Sequence, residues 1–273
     1  MIFQTKPLSA SGLKSLAKSP EHYHANHLAQ DRVRSESDAM LLGSLIHCMI
    51  LEPEMLGKYA PMPEGMTRRG KAYTDWTEGE GFGRTVITRK MWEKATAISN
   101  RVMKNDMAMG FICGTKRGIQ VETLFEWSEV HGGHSVKMNG YIDLVNHNTC
   151  RILDIKTTSN ADNLSKLAQD GRWDIQAVQY MNAMRETWES NCRSPSPRYR
   201  MFFLVVEVNS PFRIRAVELS QSAIHSGRTD RDRLVAEYVR RTETGDWTGC
   251  DEPAEIEMPN WFSRTLENLN EKY

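Results

Sequence analysis

The chain has 273 residues, 40% of them apolar, with 35 lysines and arginines against 35 aspartates and glutamates; it can bury a substantial core as one large domain or two small ones, and its balanced charge names no partner, although a local basic groove would still serve nucleic acid. Five cysteines (Cys48, Cys113, Cys150, Cys192, Cys250) form an odd set without a CxxC pair, which argues against a disulfide framework and a cysteine zinc site and fits a reducing cytoplasm. No apolar run approaches the roughly 20 residues of a membrane span, and MIFQTKPLSASGLKSLAKSP lacks a signal-peptide core, so the expectation is a soluble cytoplasmic protein with no membrane partner.

The stretch PLSASGLKSLAKSP opens a helix: Ser9 or Ser11 can cap it, and Leu13, Leu16 and Ala17 fall at helical spacing before Pro20. DAMLLGSLIHCMILEP (38–53) has helical period and is stopped by Pro53. Residues 54–85 turn polar and rich in Gly, Pro and Arg, and read as a loop with room for one short helix. TRKMWEKATAISNRVMKND (88–106) is an amphipathic helix with Trp92, Ala95, Ile98 and Val102 on one stripe.

Three β-rich runs follow, GIQVETLFEWSE (118–129), HSVKMNGYIDLVNHN (134–148) and TCRILDIKTTS (149–159), separated by the turn signals HGG and NHN. Helical periodicity returns over 164–188. Residues 198–220 read as two strands joined at Asn209-Ser210-Pro211, and 222–247 as a last long helix. This order predicts one α/β domain, a central mixed sheet flanked by helices, with a helical N-terminal part (8–106), a core (118–220) and a C-terminal helix (222–247).

The chemistry concentrates in the middle strands. Side chains alternate along a strand, so in RILDIKTTS Asp154 and Lys156 share one face while Leu153 and Ile155 share the other. A carboxylate and an ammonium at the end of an apolar strand are costly without a partner, be it each other, a metal ion or an anionic substrate. Asp143, in GYIDLV, precedes Asp154 by 11 residues, a spacing that suits adjacent antiparallel strands and places both carboxylates within reach of one hard cation. Lys156 then points into the same cleft, where it can hold a phosphate or stabilise charge growing on phosphorus. His47, flanked by Ile46, Cys48, Met49 and Ile50, taken alone reads more readily as a core histidine than as a ligand. Gln176 and Tyr180, four apart in DIQAVQYMNAM, share a helix face. Glu122, on the first strand, reads equally as a solvent-facing residue.

Together His47, Asp143, Asp154-Ile155-Lys156 and Gln176-x-x-x-Tyr180 resemble the PD-(D/E)XK nuclease superfamily, and within it the RecB-like group that adds a helix histidine and a QxxxY helix. LSASGLKSLAKSP, GSLIHCMILEP, GYIDLV, ILDIKTT and DIQAVQYMNAM stand in the order of the exonuclease VIII (RecE) nuclease-domain family of phage-type recombination systems, over residues 8 to 210. The resemblance implies a restriction-endonuclease-like core. It assigns His47, Asp143, Asp154 and the Ile155 carbonyl to metal, Lys156 to catalysis, and Gln176 and Tyr180 to the DNA backbone or to bracing the site. Glu122 matches an acidic residue on the first core strand. No cysteines flank the site in the pattern of the iron–sulfur members, so no cluster is expected.

The implied reaction is hydrolysis of a DNA phosphodiester with one or two Mg²⁺ ions, Mn²⁺ being able to substitute, and with Lys156 steadying the attacking water or the developing charge. A ligating histidine must be neutral, so activity is expected to fall below about pH 6.5. The resemblance further implies exonuclease action on double-stranded DNA ends that leaves a 3′ single-stranded tail, a ring-like homo-oligomer, and a single-strand annealing recombinase as partner. Arg68, Arg69 and Lys71, in TRRGKAYTDW (67–76), are candidates to pair with phosphates, with Tyr73 or Trp76 to stack, and a solvated loop reads equally well. Two rival readings stay open: a structure-specific endonuclease or RNA-directed enzyme, and a nucleic-acid-binding module on an inactive nuclease fold.

Overall fold

In the computed structural model the described residues are 6–29, 37–113, 118–191 and 196–249. The first helix, α1 (Ala10–Lys18), is capped by Ser9, whose hydroxyl accepts from Gly12 N, and buries Leu13 and Leu16. A short α2 (Pro20–Tyr23) follows, and α3 (Asp38–Leu51), capped by Ser37, carries the apolar run predicted there. The segment read as a loop with one helix is more ordered than that. It contains strand β1 (Tyr59–Pro61), helix α4 (Lys71–Glu78) and strand β2 (Thr85–Ile87), with β1 and β2 paired in parallel. Arg84 pins this ladder through Nε to the Gly57 carbonyl (2.8 Å) and through its guanidinium to the Tyr59 carbonyl. Three-residue strands hold too few side chains for alternation to be read.

Helices α5 (Arg89–Met103) and α6 (Asp106–Ile112) lead into the sheet. Strands β3 (Ile119–His131) and β4 (His134–Asn146) form a long antiparallel hairpin, and β5 (Arg151–Thr158) follows after a short turn. The predicted helix over 164–188 is two helices, α7 (Leu164–Asp170) and α8 (Trp173–Asn191), broken at Gly171-Arg172, where Arg172 has a φ of 45°. Strands β6 (Arg200–Glu207) and β7 (Ile214–Glu218) and helix α9 (Gln221–Thr244) complete the order, with Gly245 closing α9 in the left-handed conformation.

The five strands run β3-β4-β5-β6-β7, antiparallel except for the parallel β5–β6 pair. One sheet face packs Ile142, Val145, Ile152 and Phe203 against Leu13, Ile175 and Val235 of α1, α8 and α9. The other packs Leu144, Leu153, Ile155 and Leu204 against Leu45, Ile46, Ile98 and Val102 of α3 and α5. This is the mixed sheet flanked by helices that the sequence predicts. No helix among the described residues is long and apolar enough to cross a membrane.

Candidate active site

The β4–β5 ladder pairs Leu144 with Leu153, Val145 with Ile152 and Asn146 with Arg151, and ends there. One step further the same register sets Asp143 across from Asp154. In place of a ladder bond, the Ile155 N–H donates to Asp143 Oδ2 at 2.7 Å. The strands therefore part at the two aspartates, and a side-chain carboxylate takes up a backbone donor that would otherwise be buried unpaired. Both carboxylates are buried, Asp143 to 8% and Asp154 to 3% exposure.

Helix α3 brings His47 over this point. Its Nε2 donates to the Ile155 carbonyl at 2.8 Å, which turns Nδ1 toward Asp143 Oδ2 (3.4 Å) and Glu122 Oε1 (3.9 Å). Ligating imidazoles are commonly held this way, one nitrogen on a carbonyl and the other free to bind. Glu122 reaches in from β3 with a φ of 45°, a left-handed backbone on a non-glycine residue, where strain of order 1–3 kcal/mol is typically met at functional positions. Ligand atoms of His47, Glu122 and Asp143 all lie within 4.8 Å of one another.

Asp154 is gripped from two sides. Gln176 Nε2 donates to Oδ1 at 2.5 Å, and the Lys156 ammonium lies 2.5 Å from Oδ2. That second contact is an ion pair without good hydrogen-bond geometry, so Oδ2 keeps an acceptor with no hydrogen-bond partner. Tyr180, one turn along α8, buries its ring on Gly140, where an added Cβ would come within 3.2 Å of it, and donates to the Tyr141 carbonyl at 2.7 Å.

Electrostatics follow from this crowding. Burial, then the charge of Asp154, raises the Asp143 carboxyl to about 7, against the lowering influence of His47 and the Ile155 N–H. Burial alone would lower the His47 imidazole, but the carboxylates of Glu122, Asp143 and Asp154 outweigh it and hold it at about 9. A divalent cation would neutralise these three buried or half-buried acids more fully than one imidazolium does. The donor set, oxygens plus one imidazole nitrogen, fits Mg²⁺ or Mn²⁺.

The cleft around these groups has a volume of about 810 Å³ and is lined by His47, Glu122, Tyr141, Asp143, Asp154 and Lys156, and also by Lys58 and Tyr59. Thus the structure brings together His47, Glu122, Asp143, Asp154, Ile155, Lys156 and Gln176. Tyr180 lies behind them, buried and turned to protein partners. Arg68, Arg69 and Lys71 are exposed on the excursion between β1 and β2 and do not line the cleft. Two neighbours carry no sequence signal of their own. Tyr141 is 55% exposed at the mouth, and Lys14 on α1 donates to Gln176 Oε1 at 2.7 Å, its ammonium drawn down to about 8 by burial and then by Lys156. Their partners lie far away in the chain, and a lone Tyr in a strand or Lys on a helix is ordinary.

A mixed sheet with paired acids on two adjacent strands, an Asp-x-Lys on the second and a histidine from a preceding helix defines a nuclease fold of the PD-(D/E)XK type. The chain belongs to the family described as a PDDEXK-like domain of unknown function (DUF3799), which matches residues 9–257. No curated protein matches the sequence. Among solved structures the chain is similar to one from Eubacterium rectale named "Putative exonuclease", at 14% identity and a TM-score of 0.61, covering 95% of this chain and 92% of that one. A phage-related exonuclease from Haemophilus somnus 129PT matches at 12% identity over 89% of this chain and 97% of that one, with a TM-score of 0.34. The first likeness supports the fold.

Proposed function

We propose that the protein is a metal-dependent exodeoxyribonuclease that degrades double-stranded DNA from its ends, 5′ to 3′, leaving 3′ single-stranded tails for homologous recombination. The observation that carries the reading is the convergence of His47, Glu122, Asp143 and Asp154 with Lys156 in one cleft. His47 Nδ1 and the three carboxylates would hold one or two Mg²⁺ ions, with Mn²⁺ as a substitute, and the second lone pair of the Ile155 carbonyl is available to the same ion. A bound divalent cation supplies Lewis-acid polarisation of the phosphate and a lowered pKa for water.

The chain's own residues do the rest. Asp154 and Asp143 give the cleft its negative floor. Lys156, paired with Asp154, offers its ammonium to a phosphate oxygen or to the attacking water. Gln176 holds Asp154 from behind, and Tyr180 fixes β4 through the Tyr141 carbonyl. Arg68, Arg69 and Lys71 would meet the duplex outside the cleft, as phosphate contacts rather than chemistry. The action on ends, the ring-like homo-oligomer and the annealing partner are carried over from the exonuclease VIII family, and the name of the Eubacterium rectale protein supports the exonuclease class.

The test is digestion of end-labelled linear duplex and closed circular DNA with Mg²⁺, using wild type and Lys156→Ala. Loss of linear DNA from its ends, survival of the circle and an inactive variant are the expected results. Nicking of the circle would turn the reading to an endonuclease. Failure to cut either DNA with Mg²⁺ or Mn²⁺ would turn it to a binding module on this fold.

A further inference from the structure

Lys14 and Asp154 face opposite ends of the same carboxamide. The Lys14 ammonium lies 2.7 Å from Gln176 Oε1, and Gln176 Nε2 lies 2.5 Å from Asp154 Oδ1. An ammonium only donates and an ionised carboxylate only accepts, while a carboxamide has one end of each kind. Of the amide's two orientations, therefore, one satisfies both partners. Turned over, it would set its oxygen against the Asp154 carboxylate and its NH₂ against the Lys14 ammonium. Gln176 is 5% exposed and Asp154 3%, and mismatched polar contacts cost most where water cannot repair them.

We propose that Lys14 is a positioning residue: from α1 it fixes the orientation of the Gln176 amide and, through that amide, holds the Asp154 carboxylate in the setting that faces Lys156 and the cleft. Its consequence for catalysis rests on the nuclease reading of the cleft, whereas the relay itself does not. Lys14 does not line the cleft, and its ammonium is spent on Gln176 Oε1, which is how it reaches the site. Each Asp154 oxygen then answers to its own cation, Oδ2 to Lys156 directly and Oδ1 to Lys14 through the amide. The stem is anchored, because α1 is capped by Ser9 and buries Leu13 beside Lys14.

Lys14→Met keeps the stem and removes the donor, and Lys14→Arg keeps a donor-only head. In ¹⁵N–¹H spectra the Gln176 side-chain NH₂ pair, assigned by its loss in Gln176→Leu, is expected to be protected from solvent exchange in wild type and Lys14→Arg. In Lys14→Met its exchange accelerates at least about tenfold, because the amide loses the partner that fixes it. On DNA, Lys14→Met lowers kcat about tenfold with KM within about twofold, a misplacement rather than a binding effect. Lys14→Met added to Gln176→Leu costs nothing further, since the relay is already cut. Unchanged protection in Lys14→Met, or effects of the two substitutions that multiply, overturns the proposal. Should Lys14→Met not fold, Lys14→Leu, which likewise removes the donor, is read in the same way. If wild type cleaves no DNA, the nuclease reading falls alone, and the amide exchange still decides the relay.

Discussion

Arg231 of α9 and Glu129 of β3 form an ion pair at 2.6 Å in which the arginine is fully buried, 1% exposed. The guanidinium also donates to Gln179 Oε1 (2.7 Å), and the Gln179 amide in turn donates to the carbonyls of Leu8 (3.1 Å) and Asn139 (3.2 Å). One buried polar network thus ties α9, α8, the hairpin and the segment before α1. Arg231→Met is expected to destabilise the fold by about 3–5 kcal/mol, because it leaves the Glu129 carboxylate without its cation. Burial alone would raise Glu129, but the hydrogen bond from His131 and the charge of Arg231 outweigh it and hold the carboxyl at about 2. A folded value below the unfolded one, about 4.3, means that this stabilisation is present above the unfolded value and lost as pH falls through the folded one. Urea titrations of both proteins at pH 7 and pH 3 check it: the gap between them should narrow at the lower pH.

Binding of a divalent cation must displace protons. Burial and the Asp154 charge raise Asp143 to about 7, and, against burial, the surrounding carboxylates raise His47 to about 9, so the threshold lies above the 6.5 that an unperturbed histidine would set. Mn²⁺ affinity is expected to fall as pH drops from 9, and by about tenfold per unit for each proton released. Calorimetry in buffers of different ionisation enthalpy counts those protons. A count of zero at pH 7 would remove His47 and Asp143 from the ligand set.

The left-handed backbone of Glu122 sets stability against binding. Glycine normally weakens a strand relative to alanine, but at a φ of 45° the order should invert. Glu122→Gly is expected to be more stable than Glu122→Ala by about 1 kcal/mol. Both should bind Mn²⁺ at least about tenfold more weakly than wild type, since each loses a carboxylate of the cluster. Thermal melts and Mn²⁺ titrations of the two variants decide it, and an alanine variant as stable as the glycine variant would contradict the strain.

The centre of the site was legible because its geometry is local. Strand alternation sets Asp154 and Lys156 on one face, and a short β4–β5 turn sets Asp143 across from Asp154 whatever the rest of the fold does. The sheet and its flanking helices were legible for the same reason, through periods of two and of 3.6. What escaped depends on where distant segments land. The helix pattern over 164–188 concealed the break at Gly171-Arg172, and the paired strands inside 54–85 are too short to show a period. Composition made Arg68, Arg69 and Lys71 candidates for DNA, but it could not say that none of the three lines the cleft. Lys14 and Gln179 gave no signal, since each acts through a partner more than 30 residues away.

The site also has a timing. His47 meets Ile155 across 108 residues of chain, and Lys14 meets Gln176 across 162. During synthesis from the N-terminus, α1 and α3 emerge long before the strands and the helix they serve. Contacts of such wide separation close late, after the loop entropy between them has been overcome. A half-made chain therefore has carboxylates, an imidazole and a lysine, yet nothing that gathers them. The cluster of acids, imidazole and lysine comes into being only when the sheet and α8 are in place, so that an incomplete or unfolded copy does not assemble it.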